Sequence, residues 1–141
     1  MTDDVPREIR TSILGDLAQM AQFAERVGAF LEELGVPSKE VYAVQLILEE
    51  LITNIINHAH DDGEVHDIGL RVAAETSQLI VEIEDDGRPF DPLSIPEADV
   101  HAPIQDRPIG KLGLHLVRQM ADSMEYSRSG NKNRVQVRIG Y

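Results

Sequence analysis

Only Thr76 and Ser77 separate the segment HDIGLRVAAE (66–75) from QLIVEIED (78–85). In the second segment Leu79, Val81 and Ile83 alternate with Ile80, Glu82 and Glu84, the period of a strand. Strands joined by so short a link can pair only antiparallel, because a parallel pair needs a crossover of about a dozen residues or more. A second pair, MEYSRS and NRVQVRIGY, is laid out in the same way around Gly130-Asn131. The chain ahead of these hairpins reads as one short strand over 7–14, with Ile9, Thr11 and Ile13 on one side, and then two helices. The full order is strand, helix, helix, strand, strand, long loop, helix, strand, strand. That order lacks the regular alternation of a doubly wound nucleotide fold. It predicts an α+β two-layer sandwich, a mixed, mostly antiparallel sheet with helices on one face. With 141 residues, a single domain over 1–141 is expected.

The first helix runs from an Asp16 cap to about Gly35, with Leu17, Met20, Ala21, Ala24, Val27, Leu31 and Leu34 at helical spacing. Gly35 and Pro37 stop it, and the second helix starts at Ser38 and ends near Asp61-Asp62-Gly63. Residues 87–109 hold five of the seven prolines and read as a long loop, a length usually reserved for function or movement. A third helix opens at Gly110 with KLGLHLVRQMAD.

The second helix contains EELITNIINHAH (49–60), which is apolar enough for a core yet carries a polar line. Residues 50, 54, 57 and 61 advance by four, three and four, so Glu50, Asn54, Asn57 and Asp61 share one face. Val44, Leu48, Leu51, Ile52 and Ile55 form a separate face that can pack on the sheet. A solvated stripe is one reading. Against it, asparagine is a middling helix former, and no Lys or Arg occurs from Glu40 through Glu64 to supply the ion pairs of an exposed helix. As a site, the stripe offers a neutral oxygen on Asn54 suited to Mg²⁺ and, one turn away, a general base in Glu50. Glu49 points about 100° away from Glu50 and is the weaker candidate.

Two further motifs are weak singly. Asp85-Asp86-Gly87 places a carboxylate at a strand end beside a tight turn, where it can accept a hydrogen bond from an exocyclic amine such as adenine's. Gly110-Lys111-Leu112-Gly113 opens a helix, where glycines and free N–H groups allow phosphate to approach. Net charge is −12, which argues against nucleic acid and anionic membrane as partners and requires any anionic ligand to bring a cation or find local basic groups. Arg88, Arg107 and Lys111 flank the loop and can serve, or can be scattered surface charges. There is no cysteine, no signal-peptide pattern and no apolar run of about 20 residues, so a soluble, cytoplasmic protein is expected.

Taken in order, the three motifs resemble the asparagine box and the two glycine boxes of the histidine-kinase-like ATPase superfamily. The likeness is closest to its single-domain branch, the anti-sigma factor serine/threonine kinases of bacterial partner-switching systems. That branch reads E-x-x-x-N-x-x-x-H-[GA], D-x-G-x-x-[FI]-D and a glycine-containing box running into L-G-[LI]-x-L-[IV]. Here the matches run from Glu50 to Ala59, from Asp85 to Asp91 and from Gly110 to Val117. The resemblance covers nearly the whole chain and implies a Bergerat-type ATP-binding fold with a lid near 87–109. It implies ATP and Mg²⁺ as cofactors, with Asn54 ligating the metal, Glu50 as catalytic base and Asp85 on the adenine amine. Gly87 would make room beside the ring, and Gly110 and Gly113 would let the backbone approach the phosphates. His58, Arg107 and Lys111 would lie near the nucleotide. The implied partners are a STAS-type antagonist, phosphorylated on Ser or Thr, and a sigma factor or other regulator; homodimers are common in the branch. Departures are Pro89 where many relatives have Gly, a sparse glycine box, and no counterpart in NKNRVQV of a late threonine. Two alternatives stand beside this reading: a binding module using nucleotide only as a conformational ligand, and the catalytic domain of a sensor histidine kinase.

Overall fold

The computed structural model describes residues 7–60, 63–94 and 111–141. They form β1 (Glu8–Leu14), α1 (Leu17–Glu33), α2 (Ser38–Ala59), β2 (Asp67–Ala74), β3 (Gln78–Asp85), a 3-10 turn at Pro92–Ser94, α3 (Lys111–Met120), β4 (Ser123–Ser129) and β5 (Lys132–Gly140). The strands make one sheet in the order β1-β2-β3-β5-β4. Every pairing among the described strands is antiparallel, so the expected mixed sheet is corrected to a purely antiparallel one. The reason is that β5 turns back from the edge strand β4 and inserts between it and β3, so β3 and β4, which run in the same direction, never become neighbours.

Alternation along the strands sets the layers. Ile68, Leu70, Val72 and Ala74 of β2, Leu79, Val81 and Ile83 of β3, and Val135, Val137 and Ile139 of β5 are buried on one face. Onto that face α2 lays Val44, Ile47, Leu48, Leu51, Ile52 and Ile55, each 1% exposed or less, and Val117 of α3 joins the same core. Each such side chain contributes about 1.5–3 kcal/mol on burial, which is what holds a half-polar helix in place.

The helix ends follow their capping residues. Asp16 accepts the Ala18 N–H at 2.8 Å and starts α1, and Gly35 at φ 82° turns the chain after Leu34. The buried line of α1 is Met20, Phe23, Val27 and Leu31, whereas Leu17 and Ala21, which share the helical spacing, are exposed. Phe23 displaces them because the line 20, 23, 27, 31 is the stripe that faces the core. At Gly28 a Cβ would fall 2.5 Å from Gln45 Nε2, and its absence lets Gln45 reach across to the Ala24 carbonyl at 3.0 Å. The second helix ends at Ala59 with His60 as its cap, earlier than expected, and Asp61 of the stripe lies outside the described residues.

The outer face of the sheet is polar. Glu82 accepts from Arg71 Nη1 at 2.7 Å, Gln136 Nε2 at 2.6 Å and Arg134 Nη2. Burial alone would push the Glu82 carboxyl up, but the hydrogen bonds from Arg134, Gln136 and Arg71 outweigh it and bring the pKa down from 4.5 to about 2. A folded-state pKa below the unfolded one stabilises above pH 4.5, and that contribution is lost as pH falls from there toward 2. Glu82→Gln is therefore expected to cost about 1–2 kcal/mol at pH 7, allowing for solvent screening of the half-exposed Arg134. Urea unfolding at pH 7 and pH 2.5 checks this: the gap between variant and wild type should shrink at the lower pH.

Candidate functional site

The buried face of the sheet does not stay apolar to its end. The line Leu79, Val81, Ile83 finishes in Asp85, and the line Ile139, Val137, Val135 finishes in Asn133; the two are direct register partners on β3 and β5. Asp85 is 1% exposed and Asn133 2%. A carboxylate so placed must be met by donors. Its Oδ2 accepts from the Gly87 N–H at 2.9 Å and from Asn133 Nδ2 at 3.3 Å, and it lies 3.0 Å from His60 Nε2. All of these contacts fall on Oδ2, and none uses Oδ1.

Asn133 also ties down the chain that leaves the sheet. Its Nδ2 donates to the Arg88 carbonyl at 2.9 Å, and its Oδ1 accepts from the Phe90 N–H at 3.2 Å and the Tyr126 hydroxyl at 2.6 Å. Arg128 donates to the Gly87 carbonyl at 2.8 Å, and Arg118 of α3 reaches the Leu93 carbonyl. Asp91 caps the 3-10 turn through the Leu93 N–H at 2.8 Å. The stem of the expected lid, 87–94, is thus fixed by side chains from three other elements.

Gly87 sits where no side chain fits. A Cβ there would fall 2.6 Å from the Ala59 carbonyl oxygen, 2.6 Å from the His60 ring and 2.9 Å from Asp85 Oδ2. The turn lies directly on the C-terminal end of α2, and the Arg88 N–H donates to the same Ala59 carbonyl at 3.3 Å. This gives Gly87 a packing role, distinct from the expected access for a ring.

On α2, Asn54 is only 7% exposed, and among the described residues its Nδ2 has no hydrogen-bond partner. A buried, unpaired carboxamide atom costs about 1–3 kcal/mol, so the group is aimed at something the described fold does not supply. One turn earlier, Glu50 is half-buried, and its carboxyl is raised above the ordinary value, first by burial and then by the neighbouring Glu49 charge. Glu49 itself is exposed. Asn57 and His58 are also exposed, and the His58 ring stacks on Phe90 with centroids 5.2 Å apart. His58 therefore grips the lid stem. Arg107 and Gly110 lie outside the described residues; Lys111 and Gly113 are in the first turn of α3, with no description of their side chains.

The structure thus seats the Asp85 turn on the C-terminal end of α2, the helix that carries Glu50 and Asn54. Reading the sequence alone missed Asn133, Tyr126 and His60. A signal for Asn133 existed, since it occupies an inward position in the alternation Asn133, Val135, Val137, Ile139. A hollow of about 860 Å³ lies on Arg7, Glu75, Gln78 and Gly140. It is at the opposite end of β3 from Asp85, and its Arg7 is spent on the Ala74 carbonyl at 2.8 Å. We place the site at the Asp85 end, where buried polar groups converge.

The serine-protein kinase RsbW of Halalkalibacterium halodurans is 28% identical over 103 residues, covering 70% of this chain and 62% of that protein. The serine/threonine-protein kinase BtrW of Bordetella bronchiseptica is 25% identical over 92 residues, 65% of each chain. The matched region thus spans less than two thirds of either relative's length. The histidine kinase-like ATPase domain family matches residues 13–139, a range that holds the whole sheet from the end of β1 and all three helices. By that match the chain belongs to the histidine kinase-like ATPase domain family.

Proposed function

We propose that this chain is an ATP- and Mg²⁺-dependent protein serine/threonine kinase of the anti-sigma type. It would phosphorylate a Ser or Thr of a STAS-type antagonist and bind a sigma factor or another regulator. The reading includes a single domain over 1–141, a cytoplasmic setting and a capacity to form homodimers. No helix among the described residues is long and apolar enough to cross a membrane.

The observation that carries the proposal is the pair on α2. A half-buried carboxylate with a raised pKa stands one turn from a buried carboxamide whose Nδ2 has no partner among the described residues. The side-chain oxygen of Asn54 is a neutral hard donor that fits a divalent cation, no Lys or Arg between 41 and 63 competes with it, and its Nδ2, a donor, suits a phosphate oxygen. Mg²⁺, when bound, supplies neutralisation of charge on the β- and γ-phosphates. Glu50 accepts the proton of the substrate hydroxyl; its raised basicity suits it to that task at neutral pH. Asp85 accepts the adenine amine on Oδ1, while the donors on Oδ2 hold the carboxylate in orientation. His58 steadies the lid stem through Phe90. Arg107, Gly110, Lys111 and Gly113 complete the proposal on the phosphate side, where glycines and a helix start favour anions.

The test mixes the protein with STAS-domain proteins, Mg²⁺ and γ-labelled ATP. Label is expected on a Ser or Thr of the partner. Tight nucleotide binding with no transfer to any such partner would make the chain a nucleotide-responsive binding module. Failure to bind ATP or ADP with Mg²⁺ would sink the proposal entirely.

A further inference from the structure

His60 and His66 stack face to face at the end of α2, with centroids 4.2 Å apart and planes 25° from parallel. Each leans on a carboxylate: His60 Nε2 is 3.0 Å from Asp85 Oδ2, and His66 Nδ1 is 2.8 Å from Asp86 Oδ1. His60, His66 and Asp86 each offer one ligand atom such that all these atoms lie within 4.8 Å of one another. The three come from separate places, the cap of α2, the approach to β2 and the turn after β3, so their convergence is a product of the fold. The His60 side chain is 5% exposed, and among the described residues its Nδ1 is buried without a hydrogen-bond partner.

We propose that His60, His66 and Asp86 form a second divalent-cation site, separate from the Glu50–Asn54 pair and suited to a zinc-class ion. Two imidazoles and a carboxylate are the donor set of borderline transition metals; Mg²⁺ prefers oxygen alone. A tetrahedral ion takes its fourth ligand from water, and Asp86, 39% exposed on its side chain, leaves an approach from solvent. Stacked rings direct their lone pairs side by side, so binding requires one imidazole to turn about its terminal torsion, which is broad and soft. The site does not depend on the kinase reading: His60 meets the proposed nucleotide site only through Asp85, and His66 and Asp86 have no role in it.

The experiment titrates the metal-free full-length chain with Zn²⁺, and with Co²⁺ as a spectroscopic stand-in, in millimolar Mg²⁺ without nucleotide. One equivalent is expected to bind, with visible d–d bands for Co²⁺ of a four-coordinate site. His66→Ala and Asp86→Asn should each weaken binding at least ~10-fold, while Glu50→Gln should leave it unchanged. Asp86→Asn keeps the shape of the turn, and circular dichroism of both variants confirms that they fold. Equal affinity in wild type and both variants, an effect of Glu50→Gln as large as theirs, or no saturable binding near one equivalent would each overturn the proposal.

Discussion

With Glu50→Gln, ATP and Mg²⁺ are expected to bind as in the wild type while phosphoryl transfer falls by ~10²–10⁴-fold, the usual worth of a positioned general base. Glutamine keeps the size and hydrogen-bonding reach of the side chain but cannot take a proton. The pH profile gives the sharper test. Burial, and then Glu49, hold the Glu50 carboxyl above 4.5, so the working, ionised form is lost on acidification at a pH higher than for an exposed glutamate. The acid limb of kcat/KM should therefore lie above 4.5 in the wild type and move downward in Glu49→Gln, which removes the neighbouring charge. The same shift carries a stability sign. A carboxyl whose folded pKa is raised makes folding less favourable above its unfolded value, so Glu50→Gln should melt no lower than wild type at pH 7. A variant that lost activity by unfolding would do the opposite.

The second large effect concerns Asp85. Asp85→Ala removes the acceptor on which the Gly87 N–H, Asn133 Nδ2 and His60 converge, leaving three buried polar groups without it. Breaking a buried charged hydrogen-bond set of this kind costs about 3–5 kcal/mol. Chemical denaturation should show that loss, and nucleotide binding should vanish with it. Asp85→Asn separates the two roles. The amide keeps one oxygen for the Gly87 N–H but presents an N–H₂ on its other side, so the fold should survive with a smaller loss while adenine nucleotide binding falls at least ~10-fold. Equal nucleotide affinity in Asp85→Asn and wild type would remove Asp85 from the adenine site.

Much of this architecture could be read before any coordinates. The two-residue link at Thr76-Ser77 dictated an antiparallel neighbour, and the face Val44, Leu48, Leu51, Ile52, Ile55 was buried as its spacing required. Asp85 was visible as an acid at a strand end. What stayed hidden was long-range. Local periodicity gives which residues of α1 share a side, but not which of two adjacent sides meets the core, so spacing alone did not show that Phe23 is buried while Leu17 and Ala21 are exposed. Register between β3 and β5 is likewise no property of either strand alone, and that register is what puts Asn133 against Asp85. Nothing local singled out His60; only the approach of the Asp85–Gly87 turn makes it a buried neighbour.

The position of β5 has a consequence for how the protein is made. Chains emerge from the ribosome N-terminus first, at ~5–20 residues per second. By the time α3 has formed, β1, β2, β3 and both long helices exist, yet β3 still has an unfilled edge, because its second neighbour is made last. Asp85 is then an acid at an open rim, since Asn133 has not been synthesised. Until residues 132–140 arrive, the nascent chain carries an unpaired strand edge and, on the proposed function, an adenine acceptor that nothing on β5 yet holds. Closing the sheet and completing the pocket become the same late event, so ligand binding reports directly on a finished fold.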